Sequence, residues 1–174
     1  MTAKMTTRTG RSDGLLKTRI LFVCHGNICC SPMGEYILRH MAAEAGVSDM
    51  TETDSCGVSD EERGNPVYPP ARDELRRHGI DCRGHAARKF TDADYTENDL
   101  IIAMDAWNMR RLRQVTGNDP EGKIRLLGEY TDGREVDDPW YTGDFGTAYR
   151  QIEAGCRRIL DEIIAGSADI RQKH

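Results

Sequence analysis

The residues best placed to do chemistry lie in Cys24-His25-Gly26-Asn27-Ile28-Cys29-Cys30-Ser31-Pro32-Met33. A thiol follows directly on the apolar run Ile20-Leu21-Phe22-Val23, which reads as a buried strand. Gly26 and Asn27 permit the dihedrals of a tight turn. Ser31-Pro32 is a helix-start signature, a capping hydroxyl with proline at the first helical position. Strand, short loop and helix start together aim backbone N–H groups and the positive end of a helix dipole at one small volume beside the Cys24 sulfur. That volume is an anion site with a nucleophile in its floor, and a thiolate stabilised there can attack phosphorus. A cysteine after a buried strand is also a common inert core thiol. The glycine turn and the Ser-Pro start are features an inert thiol does not need.

Displacing an alcohol from a phosphate ester requires a proton donor for the leaving oxygen, usually a carboxyl group on a loop. Asp137 and Asp138, in Val136-Asp137-Asp138-Pro139-Trp140-Tyr141, are the candidates, because the proline stiffens the loop and the aromatics exclude water. The same residues also fit an Asp-Pro surface turn. Position in the fold must decide.

The elements that would carry these groups alternate between strand and helix. After the first strand, Met33, Ile37, Leu38, Met41 and Ala45 fall at helical spacing, with Gly46 as the stop. Thr51 to Gly57 is a weaker strand, and Ser59 to Pro70, broken by Asn65-Pro66 and Pro69-Pro70, reads as loop. Ala71 to His78 is a short helix ending at Gly79. Asp81 to Tyr95 has no clear period beyond a helical turn capped by Thr91. Leu100 to Met104 is a strand buried on both faces. Asp105 caps a helix bearing Met109, Leu112 and Val115. Ile124 to Leu127 is a strand, Gly128 to Gly146 is turn-rich, and a last helix from about Asp144 to Ile164 puts Tyr149, Ile152, Cys156, Ile159, Leu160 and Ile163 on one face. Four strands alternating with helices predict an α/β fold: a single three-layer domain with a four-stranded, parallel, twisted sheet covered by helices on both faces. Ligands of such sheets sit at the carboxyl ends of strands, where the Cys24 loop lies.

At 174 residues with 38% hydrophobic content, one core suffices. We expect a domain over 19–166, a disordered tail or expression remnant over 1–18, and a flexible C-terminus over 167–174. The formal charge of −5 disfavours nucleic acid and anionic membrane as partners. No apolar run is long enough to span a bilayer and the N-terminus lacks a signal h-region, so a cytoplasmic protein is expected. Three of the six cysteines crowd one loop and three (Cys56, Cys82, Cys156) are scattered, which reads as thiols in a reducing compartment.

Six colinear matches are more specific than the loop alone. They are Cys24 to Met33, the Ser55/Gly57/Gly64-Asn65-Pro66 series, His85-Ala86-Ala87-Arg88, Asp99 to Asp105 with Asn108, Leu126-Leu127-Gly128, and Asp138-Pro139-Trp140-Tyr141 with Asp144-Phe145. From Arg19 to about Leu160 the chain resembles the low-molecular-weight protein tyrosine phosphatases. The resemblance implies hydrolysis of phosphotyrosine or small aryl phosphates without metal or organic cofactor. Inorganic phosphate or a similar oxyanion would be held by the backbone of His25, Gly26, Asn27, Ile28, Cys29, Cys30 and Ser31. It makes Cys24 the nucleophile of a phosphocysteine intermediate and Asp138 the acid and then the base. Ser31 would hydrogen-bond the thiolate, Asn27 and His85 would support the loop, Cys29 would be a redox partner of Cys24, and Trp140 and Tyr141 would flank the substrate ring.

Two positions depart from the family pattern. Cys30 stands where the family carries the arginine that clamps the phosphoryl oxygens, and loss of one such donor typically costs ~3–4 kcal/mol, or 10²–10³ in rate. Three readings stay open: an otherwise ordinary enzyme weakened by this residue, a binding module without turnover, and a thiol redox module of Cys24, Cys29 and Cys30. Glu61 occupies a position where many relatives carry a substrate-stacking aromatic, which bears on substrate preference. A zinc site at Cys24, His25, Cys29 and Cys30 is disfavoured by ligand spacing. The related arsenate reductases need two further cysteines, and Met104-Asp105-Ala106-Trp107-Asn108-Met109 has none.

Overall fold

The alternation in Ile20-Leu21-Phe22-Val23 divides the molecule into two cores. Successive strand side chains point to opposite faces. Ile20 and Phe22 join one buried cluster and Leu21 and Val23 the other. A computed structural model describes residues 17–173, with side chains to residue 166. Strand β1 (Thr18–Cys24) lies between β2 (Thr51–Gly57) and β3 (Leu100–Ala103), with β4 (Ile124–Leu126) outside β3. The order is β2-β1-β3-β4 and every pairing is parallel, as expected of buried apolar strands joined by helical crossovers. Strand order reverses between β1 and β3, so the loops leaving these two strands bound the crevice where α/β sheets hold ligands.

Helices α1 (Cys30–Glu44), α2 (Pro69–Arg77), α3 (Asp92–Glu97), α4 (Ala106–Val115), α5 (Pro139–Thr142) and α6 (Phe145–Lys173) complete the three layers. Met33, Ile37 and Leu38 of α1, Leu75 of α2 and Tyr149, Ile152, Cys156 and Ile159 of α6 cover one face of the sheet. Leu112 of α4 covers the other, with Tyr95 of α3 packed against it. Gly34 lets α1 close on the sheet, because a Cβ there would sit 2.6 Å from the Phe22 ring.

Several sequence-based boundaries move, each for a physical reason. Ser31 is not the cap of α1: the cap position is Cys29, without a side-chain hydrogen bond, and the Ser31 hydroxyl is buried and turned to Cys24. Pro69-Pro70, read as loop punctuation, instead begin α2, where proline loses no helical hydrogen bond. Within the turn-rich 128–146 stretch, Asp138 caps the one-turn α5 by accepting from the Trp140 N–H at 3.0 Å. The α6 helix continues to Lys173, past the predicted end at Ile164. Thr91 does cap α3, in a reciprocal capping box with Asp94. At the chain ends, Thr18 already pairs with Thr51 in β1, while 1–16 of the expected tail and the side chains of 167–174 lie outside the described residues.

Candidate active site

The turn after β1 is held open by one buried amide. Asn27 has φ 62°, a left-handed conformation that costs an L-residue about 1–2 kcal/mol. Its side chain is fully buried and offsets that cost with three hydrogen bonds, each worth about 1 kcal/mol. Nδ2 donates to Ser31 Oγ at 2.9 Å and to Ser55 Oγ at 3.0 Å, and Oδ1 accepts from the Arg88 N–H at 3.0 Å. His85 reaches the same residue from outside, with Nε2 2.8 Å from the Asn27 carbonyl oxygen; only an Nε2–H can donate there, which fixes the tautomer.

These bonds also fix proton direction. Ser55 accepts from Asn27 and therefore gives its own proton to Glu35 Oε1 at 2.6 Å, a buried carboxylate also paired to Arg39. Ser31 accepts from Asn27 and lies 2.9 Å from the Cys24 sulfur, to which its hydroxyl donates when that sulfur is a thiolate. Backbone N–H groups of Ser31 and Asn27 point at the same sulfur. Cys24 thus sits in the focus of three donors, and among the described residues the N–H groups of Gly26 and Ile28 have no backbone partner. Gly57 makes this curvature possible: a Cβ there would stand 2.5 Å from the His25 carbonyl oxygen and 3.1 Å from the Asn27 nitrogen. Val58 N–H and Ser59 N–H then extend the β2 ladder onto the carbonyls of Cys24 and His25.

Above the sulfur is a pocket of about 230 Å³. It is lined by the loop residues Cys24, His25, Gly26, Ile28, Cys29 and Cys30, by Glu61 and Glu62, by Asp105 and Asn108, and by Asp138, Trp140 and Tyr141. Position separates the two candidate acids. Asp137 faces α6, where Gln151 donates to its carboxylate and accepts from its N–H, whereas Asp138 lines the pocket. Trp140 and Tyr141 are 54% and 84% exposed, and Tyr68 backs Trp140 with ring centroids 5.0 Å apart. His25 turns outward to Trp107 and to Glu61.

The electrostatics are unfavourable to a thiolate. Burial pushes the Cys24 thiol up; hydrogen bonds from Ser31 and Asn27 oppose this, and the Asp138 charge adds to it. Burial likewise pushes Cys29 and Cys30 up, and their mutual proximity with Cys24 and Asp138 reinforces it. Burial also raises the Asp105 carboxyl. All six cysteines are free thiols. Among the described residues, no group of three or more His, Cys, Asp and Glu side chains is arranged to hold a metal ion.

Sequence reading missed Glu35, Arg88, Tyr68, Met104 and Val136 as parts of this site or its support. Glu35 is the one with a usable signal, a carboxylate one turn into an amphipathic helix on its apolar face. Cys82, read as a structural thiol, is buried away from the pocket.

A parallel α/β sheet carrying a cysteine-floored anion loop at its switch point defines a class, and comparison with known proteins identifies it. The family model for low molecular weight phosphotyrosine protein phosphatase matches residues 19–169, and the chain belongs to that family. It is 40% identical over 147 residues to the low molecular weight protein-tyrosine-phosphatase YfkJ of Bacillus subtilis, covering 83% of this chain and 94% of the relative. The human low molecular weight phosphotyrosine protein phosphatase is 36% identical over 149 residues, covering 82% and 94%. The YfkJ crystal structure superposes with a TM-score of 0.83 at 38% identity, covering 86% of this chain and 96% of that one. Vibrio vulnificus Wzb in complex with benzylphosphonate gives 0.74 at 26% identity, covering 83% and 98%. These relatives indicate protein-tyrosine phosphatase function.

Proposed function

We propose that this chain hydrolyses aryl phosphate monoesters through a phosphocysteine, weakly. The observation that carries the chemistry is the Cys24 sulfur in the focus of three donors, at the foot of a pocket shared with Asp138. In the first step the Cys24 thiol gives its proton to solvent, the thiolate sulfur–phosphorus bond forms as the phosphorus–aryl oxygen bond breaks, and the Asp138 carboxyl gives its proton to the departing oxygen. In the second, the Asp138 carboxylate takes a proton from water, whose oxygen bonds phosphorus and releases the Cys24 thiolate. Loop N–H groups bind the equatorial oxygens in both. Trp140 and Tyr141 stand where a substrate ring would lie, and the benzylphosphonate complex of the Vibrio relative supports an aryl ligand.

Weakness follows from position 30. A unit positive charge about 4 Å from the sulfur is worth on the order of 4 kcal/mol at an effective dielectric of 20, and a thiol supplies none of it. The test is p-nitrophenyl phosphate hydrolysis by this chain and by Cys30→Arg. We expect the substitution to raise kcat/KM at least about a hundredfold; a smaller gain refutes the assignment.

The raised Cys24 thiol favours, as the second reading, a module that binds phosphate or phosphotyrosine without turnover. Calorimetry with a phosphopeptide alongside the assay separates the two, since the module binds with no product formed. The same raised thiol counts against a redox module, whose attacking sulfur needs an accessible thiolate.

A further inference from the structure

The pocket carries a charge pattern that phosphoryl transfer does not require. Among the described residues four carboxylates line it, from Glu61, Glu62, Asp105 and Asp138, and no lysine or arginine does. Two of the four are committed to the fold: Asp105 caps α4 by accepting from the Asn108 N–H at 2.8 Å, and Asp138 caps α5. The other two stand on the 58–65 turn at the mouth. Glu62 accepts from Asn65 Nδ2 at 2.6 Å, and the Glu61 carboxylate stands 3.5 Å from His25 Nε2, its side chain 73% exposed. Among the described residues His25 is the sole basic side chain in the lining, and it already faces Glu61.

A phosphate dianion entering here meets backbone dipoles below and negative charge above. The repulsion is relieved when the ligand brings its own cation to the mouth. The surface offered to such a cation is built from more than charge, because exposed Trp140 and Tyr141 line the pocket with the two glutamates, exposed Trp107 packs on His25, and ring faces attract ammonium and guanidinium groups. Carboxylates interleaved with exposed aromatics complement a lysine or arginine side chain and repel an acidic one.

We propose that this pocket selects phosphotyrosyl segments with Lys or Arg next to the phosphotyrosine, and that Glu61 and Glu62 are the specificity-determining residues. The proposal rests on the phosphotyrosine reading of the pocket above. The ligand cation lowers the cost of placing the dianion on the loop, a function the arginine position no longer performs.

Calorimetry on the full chain tests this with two peptides in which phosphonomethyl-phenylalanine replaces phosphotyrosine, one flanked by arginines and one by glutamates. The same pair is measured on Cys30→Arg and on Glu61→Lys/Glu62→Lys. We expect the arginine-flanked peptide to bind at least about tenfold tighter at low salt, with the ratio shrinking as screening rises and the double charge reversal inverting the order. Equal affinities, or an order unchanged by the double substitution, overturn the selectivity and leave the phosphotyrosine reading standing. Binding of neither peptide to either the native chain or Cys30→Arg overturns the phosphotyrosine reading, and the selectivity falls with it.

Discussion

At position 30 a single side chain separates the shape of the anion loop from its charge. Cys30 is buried at the first turn of α1, and no hydrogen bond that holds Asn27, Ser31 or Ser55 in place involves its side chain. What the residue changes is the Cys24 thiol, which burial raises and no guanidinium lowers. Iodoacetamide alkylation of Cys24, followed by peptide mass, should therefore be slow at neutral pH and accelerate with alkalinity. In Cys30→Arg the midpoint of that profile should fall by at least about one pH unit, because a nearby cation favours the thiolate. The two aspartates of the Asp138 loop give a sharper residue-scale test. In the Cys30→Arg background, Asp138→Asn should lower kcat on p-nitrophenyl phosphate by about 10²-fold or more, the usual contribution of general acid catalysis. Asp137→Asn, on a side chain bonded to Gln151 of α6, should leave it within about threefold.

At the scale of elements, the loop is shaped by strand β2 as much as by its own sequence. Gly57→Ala would place a methyl 2.5 Å from the His25 carbonyl oxygen, a backbone atom that cannot swing away. We expect a loss of about 1–3 kcal/mol in urea unfolding together with loss of phosphate binding, whereas Gly46→Ala, with open space around its Cβ, should keep phosphate binding. How much of this was legible before the structure depends on the range of each signal. The strand, the thiol and the helix start were readable because they are local: apolar run, turn residues, then periodic spacing. Four strands in parallel followed from their alternation with helices. The local signature put the Ser31 hydroxyl at the helix cap, whereas the family resemblance put it on the Cys24 sulfur; Ser-Pro looks the same whether the serine caps the helix or lies in its first turn. Only the buried thiol seven residues back distinguishes the two. Arg88 and Tyr68 were invisible for a related reason, since each supports the loop from another element across the fold. The family resemblance put the acid at Asp138, but local composition alone did not separate it from Asp137. Adjacent residues differ there only in which one faces the pocket and which one meets α6.

At the scale of the whole molecule, six thiols are buried and burial raises each of them. A raised folded-state value means the contribution to stability is fully present below the unfolded thiol range, near about pH 8.5, and is lost as pH climbs through the folded values. The unfolded chain ionises its thiols there and the folded chain does not, so stability should fall by about 1.4 kcal/mol per pH unit for each such thiol. Urea midpoints between pH 8 and 10 will show this, and Cys156→Ala, remote from the pocket, should flatten the slope by one thiol's share. A pH-independent midpoint over that range would contradict the burial of these groups. Tyr95, Tyr130 and Tyr149, pushed up to about 12 chiefly by burial, extend the same trend further into alkali. The Asn27 network has a consequence of another kind. Its bonds to Ser31, Ser55 and Arg88 hold the loop without help from the side chain at position 30. In the genetic code UGU and UGC become CGU and CGC by one base, so the pocket stands a single transition from its arginine form, with no second change needed to reshape the loop.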